Sequence, residues 1–278
     1  MKPTTGNLDL TALREARLQA HCAVQWLARA ARAYIPAEDD DSHTNLGWDA
    51  SARSLTTRDF GGWRLALRLC PLTLVVHGDD GRKAALALVG HDETSIGAWL
   101  GAALSAGGFD PEKLAAPLAY APPDHAVTRG GRYGGASDSA FAAFADWFAL
   151  GAAALLGADA DFAAQGHAAP APRCWPHHFD FASQITFPGS GGVTAYVGAG
   201  FSPGDTFYEE PYFYVTLYPE ASLEGLPSLA PIGHWRTDGF TGAVAPASAI
   251  SEVDDANAAA AAFLTAAIGA AIGRLRLG

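Results

Sequence analysis

Three short runs hold most of the side chains able to do acid–base or ligand chemistry. Trp175-Pro176-His177-His178-Phe179-Asp180 sets two imidazoles beside a carboxylate. Tyr208-Glu209-Glu210-Pro211-Tyr212-Phe213-Tyr214 mixes phenols with carboxylates, and His234-Trp235-Arg236-Thr237-Asp238 adds an imidazole and a guanidinium. An imidazole that titrates near neutrality, oriented by a carboxylate, is suited to general acid–base work. Two imidazoles and a carboxylate would also suffice for zinc or non-haem iron, and His178, Asp180 and His234 are the candidate set. The spacing is not that of HExxH or HxH, so a hydrogen-bonded polar layer with His178 paired to Asp180 is the plainer expectation. Arg236 could clamp a carboxylate or phosphate through its fork of donors. A salt bridge to Glu209, Glu210 or Asp180 is the favoured alternative, because isolated arginines are more often paired structurally.

Strands must position these groups. Between Phe179 and Phe187 the apolar residues Phe179, Phe181, Ile185 and Phe187 recur with period two, leaving His178, Asp180, Gln184 and Thr186 on the other side. Pro188-Gly189-Ser190-Gly191-Gly192 reads as a turn. A second strand sets Val193, Ala195 and Val197 against Thr194 and Tyr196. A third sets Phe213, Val215 and Leu217 against Tyr212, Tyr214, Thr216 and Tyr218. One sheet face is therefore core. The other is rich in tyrosine, whose ring accepts burial while its hydroxyl seeks a partner. His178, Asp180, Tyr196, Tyr212 and Tyr214, with His234 and Arg236 at the rim, form the expected ligand-binding face. Concave sites with a few converging polar groups are where small molecules bind.

Gly200-Phe201-Ser202-Pro203-Gly204 matches G-x-S-x-G literally. A nucleophile elbow needs the N–H of the residue after the serine, and Pro203 has none. The run S-P-G-D instead predicts a tight turn. There is no P-loop, no CxxC and no GxGxxG opening a helix.

The chain of 278 residues is 49% hydrophobic and carries a net charge of -11. That content supports a real core and excludes the disordered class. The acidity and the scattered Lys and Arg residues argue against nucleic acid and anionic membrane surfaces as partners. Cys22, Cys70 and Cys174 lie too far apart to suggest a disulfide framework or zinc knuckle. The start of the chain lacks the apolar run of a signal peptide, and a soluble cytoplasmic protein is expected. Ala140–Leu156 and Ala256–Ile272 are apolar enough to suggest membrane spans, but Asp146 in the first and the alanines of the second favour buried helices.

Ahead of the tyrosine-rich strands, Leu10 to Tyr34 predicts an amphipathic helix and Leu46 to Val89 a strand meander with a hairpin at Gly78-Asp79-Asp80-Gly81. A helix beginning at Asp92, Thr94 or Ser95 and a second from Asp138 or Ser139 to about Leu156 follow. The final helix is capped by Asp254 or Asp255. The fold class is α+β, antiparallel sheets with helices on the apolar faces. It divides into an N-terminal half (1–156), an alanine- and proline-rich connector (157–173) and a C-terminal sheet with its helix (174–278). Both halves read as strands followed by a helix, an order a pseudo-duplication would produce, although no internal sequence repeat accompanies it.

The blocks W-P-H-H-F-D (Trp175–Asp180), G-F-S-P-G-D (Gly200–Asp205), P-Y-F-Y-V (Pro211–Val215) and G-H-W-R-T-D-G-F-T-G-A-V (Gly233–Val244) together resemble a family of uncharacterised bacterial proteins, a domain of unknown function. The resemblance covers roughly 173–244 and implies no activity, cofactor or catalytic residue. Three functions are compatible with these residues: binding, with or without turnover, of a small molecule on the tyrosine face; a metal-dependent enzyme; and a structural protein whose polar face only docks other parts of the chain.

Overall fold

The computed structural model describes residues 9–79, 81–167, 169–189 and 192–277. Asp80 of the predicted hairpin and Ser190-Gly191 of the predicted turn lie outside the described residues. The fold is α+β, with two antiparallel sheets of five and six strands. The chain forms two compact units, Thr11–Ala145 with Cys174–Phe179, and Met1–Leu10 with Asp146–Arg173 and Asp180–Gly278. This division differs from the expected halves. The helix expected to stop near Leu156 runs as Asp138–Ala164, so residues 157–164 of the expected connector are helical. A single exposed Gly157 costs only about 1 kcal/mol in a helix, and the burial of Ala158 and Phe162 carries the helix past it.

In the first unit, β1 (Gly47–Asp49), β2 (Ser54–Thr56), β3 (Arg64–Leu69), β4 (Leu72–His77) and β5 (Lys83–Ala87) form an antiparallel meander in sequence order. Register places Leu55, Leu67 and Leu74 opposite one another, beside the pair Leu65 and Val76, and all five are buried. Helix α1 (Leu10–Tyr34) and helix α2 (Glu93–Ser105) approach closely at Gly97, where a Cβ would lie 2.9 Å from the Trp26 ring. Asp92 starts α2 with a reciprocal capping box, its side chain accepting from the Ser95 N–H at 2.8 Å.

The same unit holds the turn Trp175–Phe179. The Pro176 carbonyl accepts from Gln25 Nε2 at 2.8 Å and from His21 Nε2 at 3.0 Å. Burial lowers the His21 pKa to about 4, so this imidazole is neutral and donates its Nε2–H. The Phe179 ring stacks on His21 at 4.9 Å and on Phe144 at 5.9 Å. Phe179 adopts φ 63, which interrupts the strand alternation at this residue.

In the second unit, β7 (Asp180–Pro188), β8 (Thr194–Ser202), β9 (Tyr212–Tyr218), β10 (His234–Arg236) and β11 (Gly242–Pro246) are antiparallel. The strand order is β10-β11-β9-β8-β7, and the short β6 (Arg173–Trp175) leads into the turn that belongs to the first unit. This is not the simple order of the other sheet. Its apolar face is Phe181, Ile185, Val197, Phe201, Phe213, Val215, Leu217 and Ala243, all buried. Helix α5 (Ala256–Leu277) packs on β8, β9 and β11 with Phe263, Leu264, Ala267 and Ile268, as expected for the terminal helix. Asp255 caps it by accepting from the Ala258 N–H at 3.0 Å. Residues 146–164 of helix α3 (Asp138–Ala164) pack against the same sheet at Phe201, whose ring meets Phe148 edge-on at 5.6 Å. Helices α3 and α5 are long and apolar enough to cross a membrane by length and composition, and both direct buried side chains to the sheet.

One polar group sits against that apolar face. Ser183 donates to Asp159 Oδ1 at 2.9 Å, while Asp159 Oδ2 is buried with no partner among the described residues. Burial raises the Asp159 pKa to about 6. The folded state therefore holds a proton that the unfolded chain has released, and stability from this group falls as pH rises from about 4 to 6. Asp159→Asn should raise stability at pH 7 by on the order of 1 kcal/mol, because solvent screening at this half-buried side chain reduces the effect of the raised pKa. The difference between the urea midpoints of the two proteins should vanish near pH 4. A gap independent of pH would disprove the assignment.

Candidate functional site

Residues directly opposite one another in an antiparallel ladder share a face, and the register of the second sheet assembles its polar face in rows. Ser202, Tyr212 and Pro246 form one row. Ala182, Gly200, Tyr214, Val244 and His234 form the next, and Gln184, Gly198, Thr216, Gly242 and Arg236 the third. Thr186, Tyr196 and Tyr218 form the fourth. Asp180 precedes Ala182 by two residues on β7 and so belongs to the same face. Six of the seven expected residues, Asp180, Tyr196, Tyr212, Tyr214, His234 and Arg236, thus lie on one side of one sheet.

His178 does not join them. It lies in the turn before β7, in the other unit, exposed, with its ring 4.1 Å from that of His177. The expected strand pairing of His178 with Asp180 is lost because Phe179 takes a left-handed conformation. Among the described residues no three His, Cys, Asp or Glu side chains are grouped so as to hold a metal ion, so His178, Asp180 and His234 do not form a preassembled centre.

Two phenol–carboxylate pairs fix the floor of the face. Tyr214 lies over Gly200, where a Cβ would fall 2.3 Å from the ring. The glycine lets the phenol reach across β8, and its O–H donates to Asp180 Oδ2 on β7. Tyr212, 4% exposed, donates to Asp205 Oδ2 at 2.6 Å. Burial, reinforced by the neighbouring carboxylates, pushes both phenols above their ordinary value of 10. They are protonated donors at neutral pH, and no nucleophile is exposed among them.

Asp205 also shapes the loop after β8. Its Oδ1 accepts from the Phe207 N–H at 2.7 Å and the Tyr208 N–H at 3.2 Å. Ser202 is buried and accepts from the Gly204 N–H at 3.2 Å, so G-F-S-P-G-D is a turn that ends a strand. This turn delivers Tyr208, whose ring packs 5.0 Å from Tyr212 and whose hydroxyl lies 3.4 Å from His234 Nε2.

At the edge of the sheet the guanidinium carbon of Arg236 lies 5.0 Å from the ring of Phe240, 5.3 Å from Tyr208 and 5.9 Å from Phe207. Nη2 donates to the Asp238 carbonyl. The expected salt bridge is absent: among the described residues no carboxylate pairs with Arg236. Glu210 instead accepts from the Ser248 hydroxyl at 3.0 Å. Gly239 permits the wrap, with φ 83 and a virtual Cβ 2.7 Å from Phe207. Tyr196 is separate from this cluster, stacked on Tyr218 at 4.6 Å in the fourth row. Asp205, Phe207, Tyr208 and Phe240 were not anticipated as site residues. The S-P-G-D turn and the runs beginning at Tyr208 and His234 were the sequence signals near them.

Compared with protein-family models, with curated proteins and with solved structures, the chain gives no match.

Proposed function

We propose that the polar face of the second sheet binds a small molecule. The observation that carries this reading is the contrast between its floor and its rim. Tyr212 and Tyr214 are locked to Asp205 and Asp180, whereas Tyr208, His234 and Arg236 present a hydroxyl, an imidazole and a guanidinium at a partly exposed aromatic edge. A fixed, tyrosine-rich floor with a few polar groups at one end suits a ligand site, in which preorganisation limits the ordering cost of binding. The reading is one of binding; the floor supplies no group poised for covalent chemistry.

A ligand present at 100 times its Kd stabilises the folded state by about 2.7 kcal/mol, which a thermal-shift screen detects. Ligands found in that way should shift the His234 imidazole resonances and lose their effect in Tyr208→Ala. His178→Ala, in the other unit, should retain the full effect. Ligands that stabilise the protein equally in Tyr208→Ala and leave His234 unmoved would place binding elsewhere.

A further inference from the structure

We propose that Arg236 is the anion receptor of this face and that the molecule it takes is a monocarboxylate carried on an apolar ring. The inference rests on the reading of the face as a small-molecule site and names the ligand class. Arg236 is half-buried, and among the described residues no carboxylate neutralises it. Its Nε is buried with no hydrogen-bond partner among the described residues. A partly desolvated guanidinium with no carboxylate beside it is costly unless an anion completes it. The rings of Phe207, Tyr208 and Phe240 lie within 6 Å of its carbon, and one Nη2 hydrogen is spent on the Asp238 carbonyl. Nη1 and the second Nη2 hydrogen remain as donors in the guanidinium plane, and a carboxylate is bound end-on through such a fork. Beside it, His234 Nε2 and the Tyr208 hydroxyl lie 3.4 Å apart and offer further hydrogen-bonding groups.

Charge selects a monoanion. Arg236 is the only Arg or Lys among the residues that the ladder places on this face, and Asp180 and Asp205 stand on the same side of the sheet. Beside those two carboxylates a phosphate dianion would bring two negative charges to the single cation, whereas a carboxylate brings one. The rest of the ligand is set by Phe207, which is 51% exposed beside the guanidinium and offers an open ring to stack against.

Isothermal titration calorimetry with benzoate, benzamide, acetate and inorganic phosphate tests this at pH 7. Benzoate should bind, with benzamide and acetate each weaker by about tenfold or more. Arg236→Ala should weaken benzoate by roughly 30-fold or more, and Arg236→Lys, a point charge in place of a fork, by about tenfold. The lysine variant keeps the test decisive should the alanine variant fold poorly. Absence of benzoate binding, equal binding of benzamide, phosphate binding as tightly as benzoate, or unchanged affinity in Arg236→Lys and Arg236→Ala would each overturn the assignment. If neutral ring compounds still move the His234 resonances in those cases, the face remains a binding site of another class. If no small molecule moves them, both readings fall.

Discussion

Gly151→Ala should destabilise the protein, although the same substitution normally strengthens a helix. Alanine gains about 1 kcal/mol over glycine in a helix interior. At Gly151, however, the added Cβ would lie 2.4 Å from Phe201 Cγ and 2.8 Å from its Cβ. Phe201 is fully buried, with Phe148 at 5.6 Å and Phe213 at 5.4 Å. The ring has no free direction in which to retreat, and its strand carries Gly200 and Ser202 on the opposite face. Overpacking of a filled core costs about 1–3 kcal/mol, more when the backbone must move. The contact is close enough to place this site at the upper end. The expected net loss is about 2 kcal/mol, seen as a lowered urea midpoint at unchanged slope. Gly157→Ala lies on the same helix with nothing within 4 Å of its virtual Cβ, and should gain about 0.5–1 kcal/mol. Opposite signs at the two positions are the test. A neutral or stabilising Gly151→Ala would mean that α3 does not meet the sheet at Phe201 as described.

The same physics separates what the sequence disclosed from what it concealed. Alternation of Tyr212, Tyr214, Thr216 and Tyr218 against Phe213, Val215 and Leu217 was legible because period two is a property of the strand itself. It sorted Asp180, Tyr196, Tyr212 and Tyr214 by strand face, and the long-range ladder register joins them with His234 and Arg236. His178 was misplaced because the alternation was extended one residue too far. Nothing local announces a left-handed Phe179; the conformation is held by His21 and Phe144, which sequence places far away. The stop of α3 was misread because Gly157 looks like punctuation, while the burial that overrides it is tertiary. Arg236 was expected to meet one of three carboxylates, since charge is visible in sequence. Its actual neighbours are rings brought by two loops, one shaped by Asp205 and one by Gly239. Loop geometry of that kind follows from hydrogen bonds that no periodicity encodes.

Loss of stability above pH 10 should be steep and should trace to Tyr212 and Tyr214. Both phenols are held well above their ordinary value, chiefly by burial and then by Asp205 and Asp180 respectively. In the unfolded chain they release protons near pH 10. Between that pH and their folded values, the native state binds more protons than the unfolded state, so stability is intact below pH 10 and falls as pH rises. Each phenol contributes a slope of about 1.4 kcal/mol per pH unit, and the two together about 2.7. Tyr120 and Tyr133 are also raised and act in the other unit, so the variant comparison isolates the pair on the sheet. The double variant Tyr212→Phe/Tyr214→Phe should be less stable at pH 7, because two hydrogen bonds to carboxylates are lost at about 1.5–3 kcal/mol each. Above pH 10 its stability should decline more slowly than that of the parent, and the gap between them should narrow. Urea midpoints between pH 7 and 11.5 measure the slopes, while phenolate absorbance near 295 nm reports whether ionisation coincides with unfolding. Parallel slopes for the two proteins would show that these phenols ionise in place, and the fixed floor on which the binding site is built would lose its physical basis.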